Sequence, residues 1–154
     1  MNAFPHPDGA ESPIPGLFAR EVPEIASGVV EIRAHARVPG RGTKVAVMSN
    51  DPDVDPVGAC VGPQAARVRR IKAALEGERV DIVPWVDAPA QYIRFALAPA
   101  TVARIELDED ARRARVAVHA NERAATVMAD PTILDLACRL TGWYIDLTTD
   151  DHPM

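Results

Sequence analysis

The sequence predicts an α+β fold: two small units in tandem, each a three-stranded sheet with helices packed on one face. Three observations predict it. Apolar–polar alternations fall in pairs, separated by turn residues, as hairpins do. Each pair is followed by two short helical patterns and one further strand. The second half also repeats the first. ARVRRIKAALEGERVDIV aligns with PTILDLACRLTGWYIDLT, with Val68 on Ile133, Ile71 on Leu136, Leu75 on Leu140, Gly77 on Gly142 and Asp81 on Asp146. That is an internal duplication of one α/β unit.

The elements follow in order. Residues 1–16 are rich in Pro and Gly, with acids, and predict a disordered tail. The first unit spans 17–86. Glu21 to Ile25 gives a short helical turn. VVEIRAHARV, from Val29, alternates like a half-buried strand, PGRG turns the chain, and TKVAVMS returns it. Asp55 stands as an N-cap with Pro56 at the first helical position, before a helix over Val57 to Val61. Gly62 breaks that helix. Ala66 to Glu76 forms a longer one, with Val68, Ile71 and Leu75 on one face, and Gly77 ends it. RVDIVPW is the closing strand.

The second unit spans 87–149. Ala90 to Leu97 is helical and Pro99 closes it. VARIELD and ARVAVHA are strands joined by Asp108-Glu109-Asp110. Glu122 to Met128 is helical, Ala129-Asp130-Pro131 is a break, and Ile133 to Leu140 is a helix ended by Gly142. WYIDLTT is the last strand, and 150–154 read as a second tail. Neither unit is large enough to be very stable alone. The linker PWVDAPA is short, so the pair is expected to pack as one rigid body.

Composition bounds the function. Of 154 residues, 47% are apolar and 25% charged, enough to bury a core. Aromatics are 5%, so Val, Ile, Leu and Ala must build it. The net charge of −5 argues against a chain-wide nucleic-acid binder but leaves room for a local basic site. Cys60 and Cys138 form no close pair and read as small buried thiols in a cytoplasmic chain. No apolar run approaches a membrane span of about 20 residues. The N-terminus carries neither the charged nor the apolar region of a secretory signal.

LFAREVPEI, VVEIRAHARVPGRGTKVAV, VDPVGACVG, GERVDIVPW, FALAPATVARIELDED and LTGW together resemble the paired KH domains of bacterial NusA, the transcription elongation, termination and antitermination factor. The likeness covers about Leu17 to Leu147. It implies two tandem prokaryotic-type (type II) KH domains that bind single-stranded RNA leaving RNA polymerase. Polymerase or other transcription factors are the implied protein partners, and no cofactor is implied. In the family, a polymerase-binding domain and an OB-fold domain precede the KH pair. Neither is seen in this sequence, so the expectation is a pair standing by itself.

A KH loop of the form Gly-x-x-Gly clamps a few backbone nucleotides. Unpaired N–H groups at a helix N-terminus favour an anion, and glycines let a phosphate approach the backbone. Here the first loop reads Gly62, Pro63, Gln64, Ala65. Proline removes one donor, and Ala65 adds a methyl. Arg67, Arg69, Arg70 and Lys72 follow with no acid among them. Two readings stand: a weakened phosphate site using Gly62, Gln64, Arg67, Arg69, Arg70 and Lys72, with Gly62 and Gln64 as backbone donors, or a solvated basic helix face. The second loop reads Met128, Ala129, Asp130, Pro131, with Asp135 on the next helix. It should repel phosphate and be kept for packing.

Other patterns carry less. DPDVDP begins like a calcium loop, but Pro56 and Gly62 occupy the positions that need Gly and Glu. His35 and His119 lie on strands, exposed or half-buried, without metal-type spacing. Trp85 and Trp143 offer base stacking or packing between units. Gly58 and Gly62 are expected to allow a close helix–helix contact. No set of Ser, His and Asp or activated Cys is present, so the chain is read as non-catalytic. Two functions remain: a NusA-like RNA-binding regulator of transcription, or a degenerate KH pair that docks on a protein.

Overall fold

The computed structural model describes residues 4–9 and 11–150. The first unit runs α1 (Ile14–Glu21), α2 (Pro23–Ala26), β1 (Val30–Val38), β2 (Gly42–Ser49), α3 (Pro56–Val61), a 3-10 turn (Pro63–Ala65), α4 (Ala66–Ala74) and β3 (Arg79–Pro84). The second runs α5 (Pro89–Ala96), β4 (Val102–Asp108), β5 (Arg113–His119), α6 (Glu122–Ala129), α7 (Pro131–Thr141) and β6 (Tyr144–Asp150). Each hairpin is antiparallel, and the last strand of each unit adds parallel to the second. The strand orders are β1-β2-β3 and β4-β5-β6. The duplication therefore holds at the level of topology. A parallel third strand needs a crossover, and α3–α4 and α6–α7 supply it.

The first core forms where α1, α3 and α4 meet one face of the first sheet. Ile14, Phe18, Val22, Val30, Val45, Val47, Cys60 and Ile71 are fully or almost fully buried there. Burying a side chain such as Ile71 is worth about 1.5–3 kcal/mol. The second core gathers α5, α6 and α7 on the second sheet and then continues into the first unit through Ala34, Ala36, Ala46 and Val83. A register shift between Ile32 and Ala34 makes this possible. Before it, Val30 and Ile32 pack with the first core. After it, Ala34 and Ala36 pack with the second. A bulge re-aims the side chains that follow it.

Helix α7 thus serves two sheets. It closes its own unit and packs against β1 and β2 of the other. The approach is close: a Cβ on Gly42 would lie 3.3 Å from Leu136 Cδ1. At the rim, Arg41 Nε donates to Thr132 Oγ1 at 3.3 Å. In the sheet that carries these contacts, Lys44 is 0% exposed and pairs with Asp81 at 3.0 Å.

Several expectations are corrected. The disordered tail was expected to reach Gly16, yet α1 begins at Ile14, which is fully buried, and Asp8 is bonded to β1. Pro13 and Pro15 sit at the helix start, where proline is tolerated. Residues 1–3 and 10 of that tail, and 151–154 of the other, lie outside the described residues, while Asp150 ends β6. Helix α4 stops at Ala74 rather than Glu76, because Glu76 and Gly77 turn left-handed at φ 58° and 86°. His35 is buried, 4% exposed, rather than exposed or half-buried. Trp143 is buried in the second core, and Trp85 packs beside it with Tyr92 edge-on at 6.5 Å.

Candidate nucleic-acid interface

The loop between α3 and α4 is built by its backbone. Asp55 stands at the N-cap and Pro56 opens α3, as expected, although the Asp55 side chain makes no capping hydrogen bond. The Asp51 carboxylate bonds instead to the Asp53 N–H at 2.9 Å, shaping the loop that leads in. Gly62 then leaves the helix at φ 78°, and Gln64 and Ala65 follow at φ 54° and 62°. These are glycine-type conformations. Ala65 holds one at a cost of about 1 kcal/mol. The loop has lost its second glycine and kept the shape that glycine would give.

Its donors differ from the expectation. The Gly62 N–H is not free, because it donates to the Gly58 carbonyl at 2.9 Å. The Ala65 N–H donates to the Gly62 carbonyl at 3.1 Å. Pro63 has none. The Gln64 N–H finds no internal acceptor among the described residues, and Gln64 is exposed.

The four cations divide in two. Arg67 is half-buried and donates to Glu24 Oε1 and to the Ala59 carbonyl, both at 2.7 Å. Its stem packs on Gly62, where a Cβ would lie 2.7 Å from Arg67 Cγ. The close contact at Gly62 is thus with the stem of a side chain on α4, so at this glycine the end of α3 does meet another helix, as expected. At Gly58 a Cβ would meet Asp55 Oδ2 at 2.7 Å, without a second helix. Arg69 turns back and donates to the Gln64 carbonyl. Arg70 and Lys72 are exposed, and neither has a hydrogen bond or ion pair among the described residues. Arg67 shapes the loop, while Arg70 and Lys72 are available to a ligand. Nothing in the sequence marked Glu24 as the partner of Arg67, 43 positions away.

The corresponding junction in the second unit has no such loop. A single residue, Asp130 at φ −114°, joins α6 to α7. Its Oδ1 accepts from the Thr132 N–H at 2.9 Å. The anion that a helix N-terminus would attract is supplied by the chain itself. Asp135 pairs with Arg139 at 3.6 Å on the same helix.

Family models described as the NusA-like first and second KH domains match residues 12–85 and 89–153. The chain belongs to the NusA-like KH family. The transcription termination/antitermination protein NusA of Thermus thermophilus is 47% identical over 129 residues, covering 84% of this chain and 33% of that protein. The protein of the same name from Halalkalibacterium halodurans is 40% identical over 136 residues, 88% of this chain and 36% of that protein. The chain therefore spans about a third of the length of these curated relatives.

Within this KH pair the thiols are chemically quiet. Burial, with Glu24 nearby, pushes Cys60 up to about 12, and burial also raises Cys138. Thiolate is the reactive form, and these sites suppress it. Among the described residues, no group of three or more His, Cys, Asp and Glu side chains is placed to hold a metal. No helix among them is long and apolar enough to cross a membrane.

Proposed function

We propose that this KH pair binds single-stranded RNA through its first loop and acts, without catalysis, in transcription elongation, termination or antitermination in the cytoplasm. The observation that carries the reading is the loop itself. Gly62, Gln64 and Ala65 keep left-handed backbone in front of α4, and Arg70 and Lys72 stand on that helix without partners among the described residues. The Gln64 N–H, Arg70 and Lys72 contact phosphates. Gly62, Arg67 and Arg69 hold the loop in shape. The names of the relatives, transcription termination/antitermination proteins, support the setting in transcription, with RNA polymerase or its other factors as partners.

A second reading is favoured by one observation. Asp130 fills the helix N-terminus of the second unit, so that half of the pair offers no phosphate cradle. On this reading the pair docks on a protein of the transcription complex and binds little or no RNA. Fluorescence anisotropy of labelled single-stranded RNA at low and physiological salt separates the two. Binding that weakens with salt, and is lost in an Arg70→Glu, Lys72→Glu double variant, supports the RNA reading. No binding at low salt overturns it.

A further inference from the structure

Residues 4–9 lie across both units. The Asp8 N–H donates to the His35 carbonyl at 2.7 Å, and Asp8 Oδ2 accepts from the Arg37 N–H at 2.9 Å. Both partners belong to β1, an edge strand of its sheet. The other carboxylate oxygen, Oδ1, accepts from Arg139 of α7 at 2.6 Å. Further back, the Phe4 ring meets Tyr144 of β6 with centroids 5.8 Å apart. The segment therefore touches β1, α7 and β6 at once.

An edge strand with unpaired backbone groups is a template for another chain. The segment here fills that template poorly. Pro5 and Pro7 have no N–H to give a ladder. The Arg37 N–H is met by a side-chain carboxylate where a sheet would offer a carbonyl. Phe4 remains 48% exposed. The firm contacts are those of Asp8. Arg37 is held from its other end by Glu78, its Nε donating to Oε1 at 3.2 Å and Oε2 at 3.0 Å and its Nη2 to Oε1 at 3.0 Å. The receiving surface is thus fixed, and its occupant is loosely fitted.

We propose that the edge of β1 together with Arg139 is a docking site for an extended acidic peptide of a protein partner, occupied in cis by residues 4–9. The site recognises an aspartate through the Arg37 N–H and the Arg139 guanidinium, and that residue's own main-chain N–H through the His35 carbonyl. Charge-assisted bonds of this kind supply the selectivity, and strand addition supplies the geometry. In cis, the segment competes at an effective concentration in about the millimolar range, so a partner must exceed that or bring further contacts.

The test uses the full chain and a synthetic peptide, Phe-Pro-His-Pro-Asp-Gly, followed by the Arg37 amide resonance. The Asp8→Ala variant should bind this peptide saturably, at least tenfold more tightly than the unaltered chain. The peptide with Ala in place of Asp should bind at least tenfold more weakly, and Arg139→Ala should abolish the difference between the two peptides. The proposal is overturned if Asp8→Ala shows no saturable shift at several times the cis concentration. It is equally overturned if the two peptides bind alike, or if the unaltered chain exchanges this segment between two copies.

Discussion

The Arg67 guanidinium lies 2.7 Å from Glu24 Oε1 and 2.7 Å from the Ala59 carbonyl, so one side chain ties α2, α3 and α4 together. The pair is only partly shielded from water, which limits its value. A hydrogen-bonded pair of this exposure contributes about 1–2 kcal/mol. Arg67→Ala should lower the unfolding free energy read from urea titration by that amount, and Glu24→Ala by less. The double variant should lose less than the sum of the two. Additive losses would show that the two residues do not act through each other.

Arg70 and Lys72 should behave in the opposite way. Neither supports the fold, so Arg70→Ala and Lys72→Ala should leave the thermal midpoint unchanged. Each should weaken binding of single-stranded RNA and reduce the salt slope by about 0.7. Unchanged affinity and slope in both variants would assign the basic face to solvent alone.

Ala65 carries the strain of a glycine position at φ 62°. Ala65→Gly removes that strain, while glycine adds freedom to the unfolded chain. The net effect should be stabilising by about 0.5 kcal/mol. RNA affinity should also rise, because the methyl no longer stands before the backbone. Gly62→Ala should destabilise, since φ is 78° and the new Cβ would lie 2.7 Å from Arg67 Cγ. Urea titration beside RNA anisotropy reads both effects, and a destabilised Ala65→Gly would contradict the strain.

Much of the fold was legible because periodicity names the buried face of each element. Ile71 and Leu75, and Ile133, Leu136 and Leu140, are all buried as their spacing requires. Periodicity does not name what covers that face. That α7 also packs on the first sheet depends on a bulge near Arg33, which leaves no mark in an alternating strand. The N-terminal segment was misread for a related reason. Its composition is that of a tail, but Ile14 and Asp8 hold it down through partners in β1 and the cores. At the site, the basic run was plain in the sequence. Its division into shaping and available cations was not, because that division is set by Glu24 and by two main-chain carbonyls.

Lys44 gives a prediction about the sheet interior. It stands opposite Ala36 and Asp81, is wholly buried, and pairs with Asp81, which is 24% exposed. Burial lowers its pKa, while Asp81 acts against that shift. Breaking such a pair from one side costs more than replacing the charge with an apolar side chain. Lys44→Met should therefore be neutral or stabilising. Asp81→Ala should cost about 1–3 kcal/mol, because it strands the ammonium and also removes the partner of Arg79. Urea midpoints at neutral pH order the two variants, and the reverse order would refute the argument.

His35 makes stability depend on pH in a defined direction. Its Nε2 is buried without a hydrogen-bond partner among the described residues, and burial lowers its pKa below 6.5, against the opposing pull of the Asp8 carboxylate and the Gly9 backbone. Above about pH 6.5 the ring is neutral in both folded and unfolded chains, and it costs nothing. As pH falls from there toward the lower folded value, the unfolded chain takes up the proton first. Stability then falls by at most about 1.4 kcal/mol per pH unit from this group. Asp8→Ala removes a pull that raises the folded pKa, so the loss should extend to lower pH. His35→Gln should flatten the slope between pH 6.5 and the folded pKa. Urea midpoints taken at intervals from pH 7 downward test this, and equal slopes in His35→Gln and the unaltered chain would remove His35 as the titrating group.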